Sequence, residues 1–149
     1  MNTNWMSCTL REGCEVCGSQ ERLVLCSTCN VVQYCTEEHR LEHEATHAST
    51  CARIEECRTE VRQQRDILEA AIPQFKFVSE GSENAPEVVE VVDYLRARLQ
   101  LVEAYSLPEN ILGLQVSLDN LLEMVKLCRL DKLNFRWMTL GVMLSEPRR

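Results

Sequence analysis

Eight side chains able to bind a metal crowd into one short stretch: Cys14, Cys17, Cys26, Cys29, Cys35, His39, His47 and Cys51. They read as C-x2-C, C-x2-C, C-x3-H and H-x3-C. All three histidines of the chain, His39, His43 and His47, lie inside this stretch, as do six of its nine cysteines. No other property of the chain constrains its folding as much.

The spacings follow from local geometry. Zinc takes four ligands in a tetrahedron, at about 2.0 Å to nitrogen and about 2.3 Å to sulfur. Two cysteines separated by two residues reach one ion from a tight turn. Gly18 follows the first couple and Asn30 the second, and both residue types tolerate the backbone such turns require. C-x3-H and H-x3-C are i, i+4 pairs, which share one face of a helix. The segment from Thr36 to Cys51 has no Pro or Gly, so one or two helices can carry both pairs. Thr36 is the expected N-cap, with Glu37 and Glu38 well placed in the first turn. Eight donors make two closed four-ligand sites, the structural kind; a catalytic zinc keeps one position open.

Disulfides would leave the three clustered histidines unexplained, and nine cysteines is an odd number. Bridged cysteines also belong to oxidising compartments, whereas residues Met1 to Gly13 lack the apolar core of a signal peptide. The expectation is an intracellular protein, nucleus or cytoplasm unassigned. Spacing leaves the grouping of ligands open. A sequential order would join Cys14, Cys17, Cys26 and Cys29 at one ion, and Cys35, His39, His47 and Cys51 at the other. An interleaved order would join the first couple to the third and the second to the fourth.

The stretch CEVCGSQERLVLCSTCNVVQYCTEEHRLEHEATHASTC resembles the MYND-type zinc finger. That family shares the four couples and an aromatic residue just before the fifth ligand, here Tyr34. The family interleaves its ligands. The resemblance therefore implies that Cys14, Cys17, Cys35 and His39 hold one zinc and Cys26, Cys29, His47 and Cys51 the other. It also implies a short β-hairpin and a groove for proline-containing peptides. Ser27 matches a groove position. Arg40 and Glu44 stand where many members carry Gln and Trp, so weaker binding of such peptides is expected.

The remaining candidates have plainer readings. His43 reads as a solvated helix residue. Cys57 and Cys128 fall on apolar helical faces, where a free cysteine packs as a small hydrophobe; Cys8 also lies outside the ligand pattern.

The chain carries a formal net charge of −7 over 149 residues. Within the finger, Glu15, Glu21, Glu37, Glu38, Glu42 and Glu44 outnumber Arg22 and Arg40. Phosphate backbones demand the opposite sign, so nucleic acid is not an expected partner. No run is long enough to span a membrane. A finger this small buries little apolar surface, so zinc is expected to stabilise it, by about 10–16 kcal/mol in comparable sites.

The expected organisation is a tail at 1–13, the finger at 14–51 and an all-α region at 52–149. Helices are expected at about 52–72, 87–105, 108–129 and 132–144. The first carries Ile54, Cys57, Val61 and Leu68 at helical spacing and stops at Pro73. The second carries Val88, Val91, Val92, Leu95, Leu99 and Val102. Pro108 suits the first turn of the third, which carries Ile111, Leu114, Leu118, Leu121, Leu122, Val125 and Leu127. The last would hold Phe135, Trp137, Met138, Leu140, Val142, Met143 and Leu144, an apolar surface suited to a partner or to self-association. The arrangement resembles fungal proteins in which an N-terminal MYND finger runs into helical repeats. SLDNLLEMVKLCRLD looks like the first helix of such a repeat, without a second clean copy.

The expected function is a zinc-stabilised protein–protein interaction module that docks a peptide and scaffolds through its helices. A zinc-dependent enzyme is the alternative from another class, disfavoured by closed sites. A nucleic-acid-binding regulator is disfavoured by the acidic finger. No catalytic residues and no cofactor besides two zinc ions are expected.

Overall fold

The computed structural model describes residues 10–72 and 89–127. Two short strands, β1 (Val24–Leu25) and β2 (Gln33–Tyr34), pair antiparallel with Val24 opposite Tyr34 and Leu25 opposite Gln33. Three helices follow: α1 (Glu37–Ala71), α2 (Val89–Ser106) and α3 (Ile111–Leu127). The expected helix at 132–144, the Phe75–Val78 segment and Cys128 fall outside the described residues.

Thr36 caps α1 as its sequence predicts. Its backbone is extended and its side-chain oxygen accepts from the His39 N–H at 3.3 Å. The sequence reading has one or two helices from Thr36 to Cys51 and a further one at about 52–72; the structure has a single helix of 35 residues. That is about 52 Å at 1.5 Å per residue. Nothing from Glu37 to Ala71 breaks it, because the run contains neither Pro nor Gly. The helix that carries the last finger donors therefore continues directly into the helical region.

The apolar stripe of α1 buries as its spacing predicts: Ile54, Cys57 and Leu68 are 2% exposed or less. Burying side chains such as Ile54 and Leu68 contributes about 1.5–3 kcal/mol each. α2 lies between α1 and α3 and is covered on both flanks. One flank brings Leu101, Ala104 and Tyr105 to α1 and the finger. Val91, Tyr94, Leu95 and Val102 pack with Leu68, Leu121 and Met124. α3 meets α2 at very close range. A Cβ on Gly113 would stand 2.2 Å from the Tyr105 carbonyl oxygen, and Ser117 donates to the Val102 carbonyl at 3.1 Å. Arg98, nearly buried on α2, donates to Asn120 and Glu123 of α3 at 2.8 and 2.7 Å.

The start of α3 differs from the sequence expectation. Pro108 sits in the connection, and Asn110 caps the helix by accepting the Gly113 N–H at 2.7 Å. An Asn just before an apolar run is a strong N-cap, and it overrides the preference of Pro for a first turn.

The finger shares its core with the helices. Cys29, Val31, Val32 and Tyr34 pack in one cluster with Ile54, Cys57, Leu101, Ala104 and Tyr105. Zinc is thus not the finger's sole source of stability. Arg11, read from sequence as tail, also pairs with the segment before α3. Its N–H donates to the Glu109 carbonyl at 3.3 Å, and its carbonyl accepts from Ile111 at 3.1 Å.

Candidate metal centre

Two knuckles, each a C-x2-C turn, supply half of the donors. In the first, the Gly18 N–H donates to the Cys14 carbonyl at 2.8 Å; in the second, the Asn30 N–H donates to the Cys26 carbonyl at 2.9 Å. The closing residues take left-handed backbones, Gly18 at φ 72° and Asn30 at φ 57°. These are residue types that enter that region at little cost. β2 leads from the second knuckle to Cys35. α1 then presents His39, His47 and Cys51.

The structure draws these donors into two groups. Cys14, Cys17, Cys35 and His39 form the first cluster, and Cys26, Cys29, His47 and Cys51 the second, each with donor atoms within 4.8 Å of one another. The grouping alternates along the chain. Tetrahedral bonds of zinc length place sulfurs about 3.8 Å apart and sulfur and nitrogen about 3.6 Å apart. Cys17 and Cys35 Sγ are 3.5 Å apart, and Cys26 and Cys51 Sγ 3.8 Å. Cys14 Sγ lies 3.6 Å from His39 Nδ1, and Cys29 Sγ 3.5 Å from His47 Nε2. Cys35 Sγ to His39 Nδ1 is tighter, at 3.1 Å. Donor chemistry and spacing both fit two zinc ions.

The electrostatics of the thiols point the same way. Burial works to raise the Cys14 thiol, but backbone hydrogen bonds from Cys17, Cys35 and Val16 outweigh it and hold it at about 6. Cys26 is lowered too: burial opposes, and backbone hydrogen bonds from Cys29 and Thr28 prevail. Burial and then the crowding of Cys17 and Cys14 push Cys35 up to about 11. Burial and then Cys26 and Cys29 push Cys51 up to about 12. Three thiols at such range cannot all ionise unaided, and a divalent cation removes that conflict.

Residues 14–51 match the MYND finger. This segment is a MYND finger. The match spans about a quarter of the chain. Searches of curated proteins and of solved structures gave no match. MYND fingers are protein-interaction modules as a family, and typically binding modules rather than enzymes.

Sequence reasoning missed three residues around the MYND finger. His43, expected in solvent, is half-buried. Its Nδ1 lies 3.0 Å from Tyr34 Oη, and its ring stacks on His47 with centroids 5.7 Å apart. The i, i+4 spacing of the two histidines was the available signal. Arg58 sends its guanidinium to the carbonyls of Thr28 and Cys29, the latter at 2.5 Å, and to Tyr105 Oη at 2.9 Å. Asn110 donates to the Val31 carbonyl at 2.8 Å.

The segment from Val31 to Cys35 offers no open strand edge at Gln33. Gln33 is bridged to Cys14, its carbonyl accepts the Glu15 N–H at 2.9 Å, and Val31 and Val32 are buried. The outer edge of β1 has no ladder partner among the described residues. Its side chains are exposed, Val24 at 68% and Leu25 at 44%. Arg40, at the family's Gln position, pairs with Glu37 at 2.6 Å and faces Glu44 at 3.9 Å. No helix among the described residues is long and apolar enough to cross a membrane.

Proposed function

We propose that this finger is a zinc-held peptide-docking module. Cys14, Cys17, Cys35 and His39 would bind one zinc, and Cys26, Cys29, His47 and Cys51 the other. Each ion would be saturated by protein donors, which supports a structural role over a catalytic one. A thiolate-rich centre of this kind suits a reducing compartment.

The docking site is the free edge of β1. An extended peptide would add there as a third strand, through main-chain hydrogen bonds. The observation that carries this reading is the pair of exposed apolar side chains on β1, whose outer edge has no ladder partner among the described residues, beside the exposed Ser27. Such a surface suits an apolar segment, and the family resemblance favours one containing proline. The helices would hold the finger rigid beneath it.

Two measurements test the reading. Metal analysis of protein purified without added zinc should give close to two ions per chain; one or none in a folded finger defeats the eight-donor assignment. In calorimetry, a proline- and leucine-containing peptide should bind the native chain and lose at least tenfold in affinity to Val24→Asp/Leu25→Asp. Equal binding by the two proteins moves the docking site elsewhere. Arg40→Gln with Glu44→Trp should tighten the same peptide, because an ion-paired side chain and a carboxylate give way to an amide and an aromatic wall.

A further inference from the structure

The two knuckles are alike in backbone but not in what holds them. The first is closed by its own hydrogen bonds and by Cys14 N–H donating to the Ser19 carbonyl at 2.8 Å. The second has in addition a guanidinium from the helical region seated on two of its carbonyls, Thr28 and Cys29. That guanidinium is itself fixed. Arg58 Nε donates to Tyr105 Oη at 2.9 Å, its carbon lies 5.4 Å from the Tyr105 ring centroid, and Glu55 stands 3.6 Å from Nη1. Its side chain is 22% exposed. Tyr105 in turn is buried in the cluster that contains Cys29. The chain of contacts runs from α2 through α1 to a donor of the second cluster.

We propose that Arg58, held by Tyr105, is a positioning residue that orients the Cys26–Cys29 knuckle for its zinc. The helical region, rather than the finger alone, then sets the affinity of the second site. The inference rests on the reading that this cluster holds zinc. The geometry supports it. A planar fork that binds two successive carbonyls fixes the turn that spaces Cys26 from Cys29, and it does so with charge-assisted bonds. Among the described contacts, no guanidinium sits on the carbonyls of the first knuckle.

The test uses the full chain and cobalt as probe, because its ligand-field absorption reports thiolate coordination; the two sites share one donor set, so the same titration in a Cys17→Ala background, which removes the first site, assigns each ion. The first cluster serves as an internal control. Arg58→Met keeps the apolar stem and removes the fork. It should weaken one cobalt ion by about 10–100-fold, the usual effect of losing an outer partner of a ligand. The other ion should stay within about twofold, and the helical circular dichroism of the loaded protein should be unchanged. Arg58→Lys, which supplies one point charge and no fork, should fall between. Tyr105→Phe should weaken the same ion by a few-fold. If both ions keep their native affinity in Arg58→Met, the inference is overturned. If both weaken together, Arg58 holds the fold rather than the site, and the inference is again overturned. A native chain that binds fewer than two cobalt ions overturns the zinc reading itself and, with it, this inference; the two failures are read from different proteins.

Discussion

The two clusters have the same donor set and nearly the same knuckle, yet they sit in different surroundings. In the second, Cys29 is fully buried and His47 nearly so, and Cys26 and Cys51 pack against the shared core. In the first, Cys17 is exposed, and of the four donors Cys14 alone is buried. A metal motif specifies the ligands of a site. It does not specify whether the site stands by itself or belongs to a larger core. Here the continuity of α1 decides the matter, because the helix that delivers His47 and Cys51 also carries Ile54, Cys57 and Arg58.

The comparison breaks most sharply by deleting a ligand. Cys29→Ala and Cys17→Ala should each cost one zinc, and binding at such sites contributes on the order of 10 kcal/mol. The consequences should differ. Cys29→Ala opens a hole in the core beneath α2 and should lower the melting temperature of the helical signal. Cys17→Ala should leave that signal close to native. Zinc stoichiometry with circular dichroism melting reads both. Equal melting of the two variants would mean that the core is not shared in the way described.

A smaller break removes the second tie between finger and helices. Asn110→Ala loses the cap of α3 and leaves the buried Val31 carbonyl without its donor. A lost cap costs about 1 kcal/mol and an unpaired buried carbonyl about 1–3 kcal/mol. The expected total is about 2–4 kcal/mol in denaturant unfolding, with two zinc ions still bound. A loss under about 1 kcal/mol would show that the contact contributes little.

Acid sharpens the comparison. Burial, and then the nearby His43, hold His47 below the usual imidazole range. A depressed value keeps the ring neutral, and so able to bind metal, to lower pH than in the unfolded chain. Its contribution is present above the ordinary histidine range and fades as pH falls through it, since protons then favour the unfolded state. His47 should therefore stay unprotonated, and able to hold the second zinc, to a pH below the ordinary histidine range. A zinc-release titration with a chromogenic chelator, run on the native chain and on Cys17→Ala, identifies the second ion; its release within the ordinary histidine range would remove the argument.

Much of this was legible in the sequence, for identifiable reasons. Zinc geometry imposes spacing, so the eight donors stood out. Helical periodicity exposed the stripe of Ile54, Cys57, Val61 and Leu68, because burial repeats every 3.6 residues. The pairing of donors was not legible from spacing, since both orders satisfy the same local turns, and only the family resemblance suggested it. Arg58 was illegible for another reason. It is one of several arginines on a helix rich in Arg and Glu, and what separates it is its neighbour across space. Its place four residues after Ile54, flanking the apolar stripe, was the one available hint that its stem would be covered. Asn110 was legible and was passed over for Pro108.

The smallest effect concerns the two turn residues that make the knuckles alike. Gly18 at φ 72° has open space around its would-be Cβ, whereas Asn30 at φ 57° already carries a side chain in the same backbone region. Left-handed backbone costs an ordinary residue about 1–2 kcal/mol, and Asn less, because its side chain bonds locally. Gly18→Asn should therefore cost well under about 1 kcal/mol, and Gly18→Ala about 1 kcal/mol, through backbone strain alone since nothing is touched. Asn30→Ala should cost a similar amount, and Asn30→Gly close to nothing. All four variants should keep two zinc ions. Cobalt affinity then separates turn strain from core support. Strain at Gly18 should weaken the first site measurably, by roughly fivefold at about 1 kcal/mol. The same strain at Asn30 should weaken the second site less, because Arg58 holds that knuckle from outside. Equal losses at the two sites would place the whole difference between them in the donors' exposure rather than in the clamp.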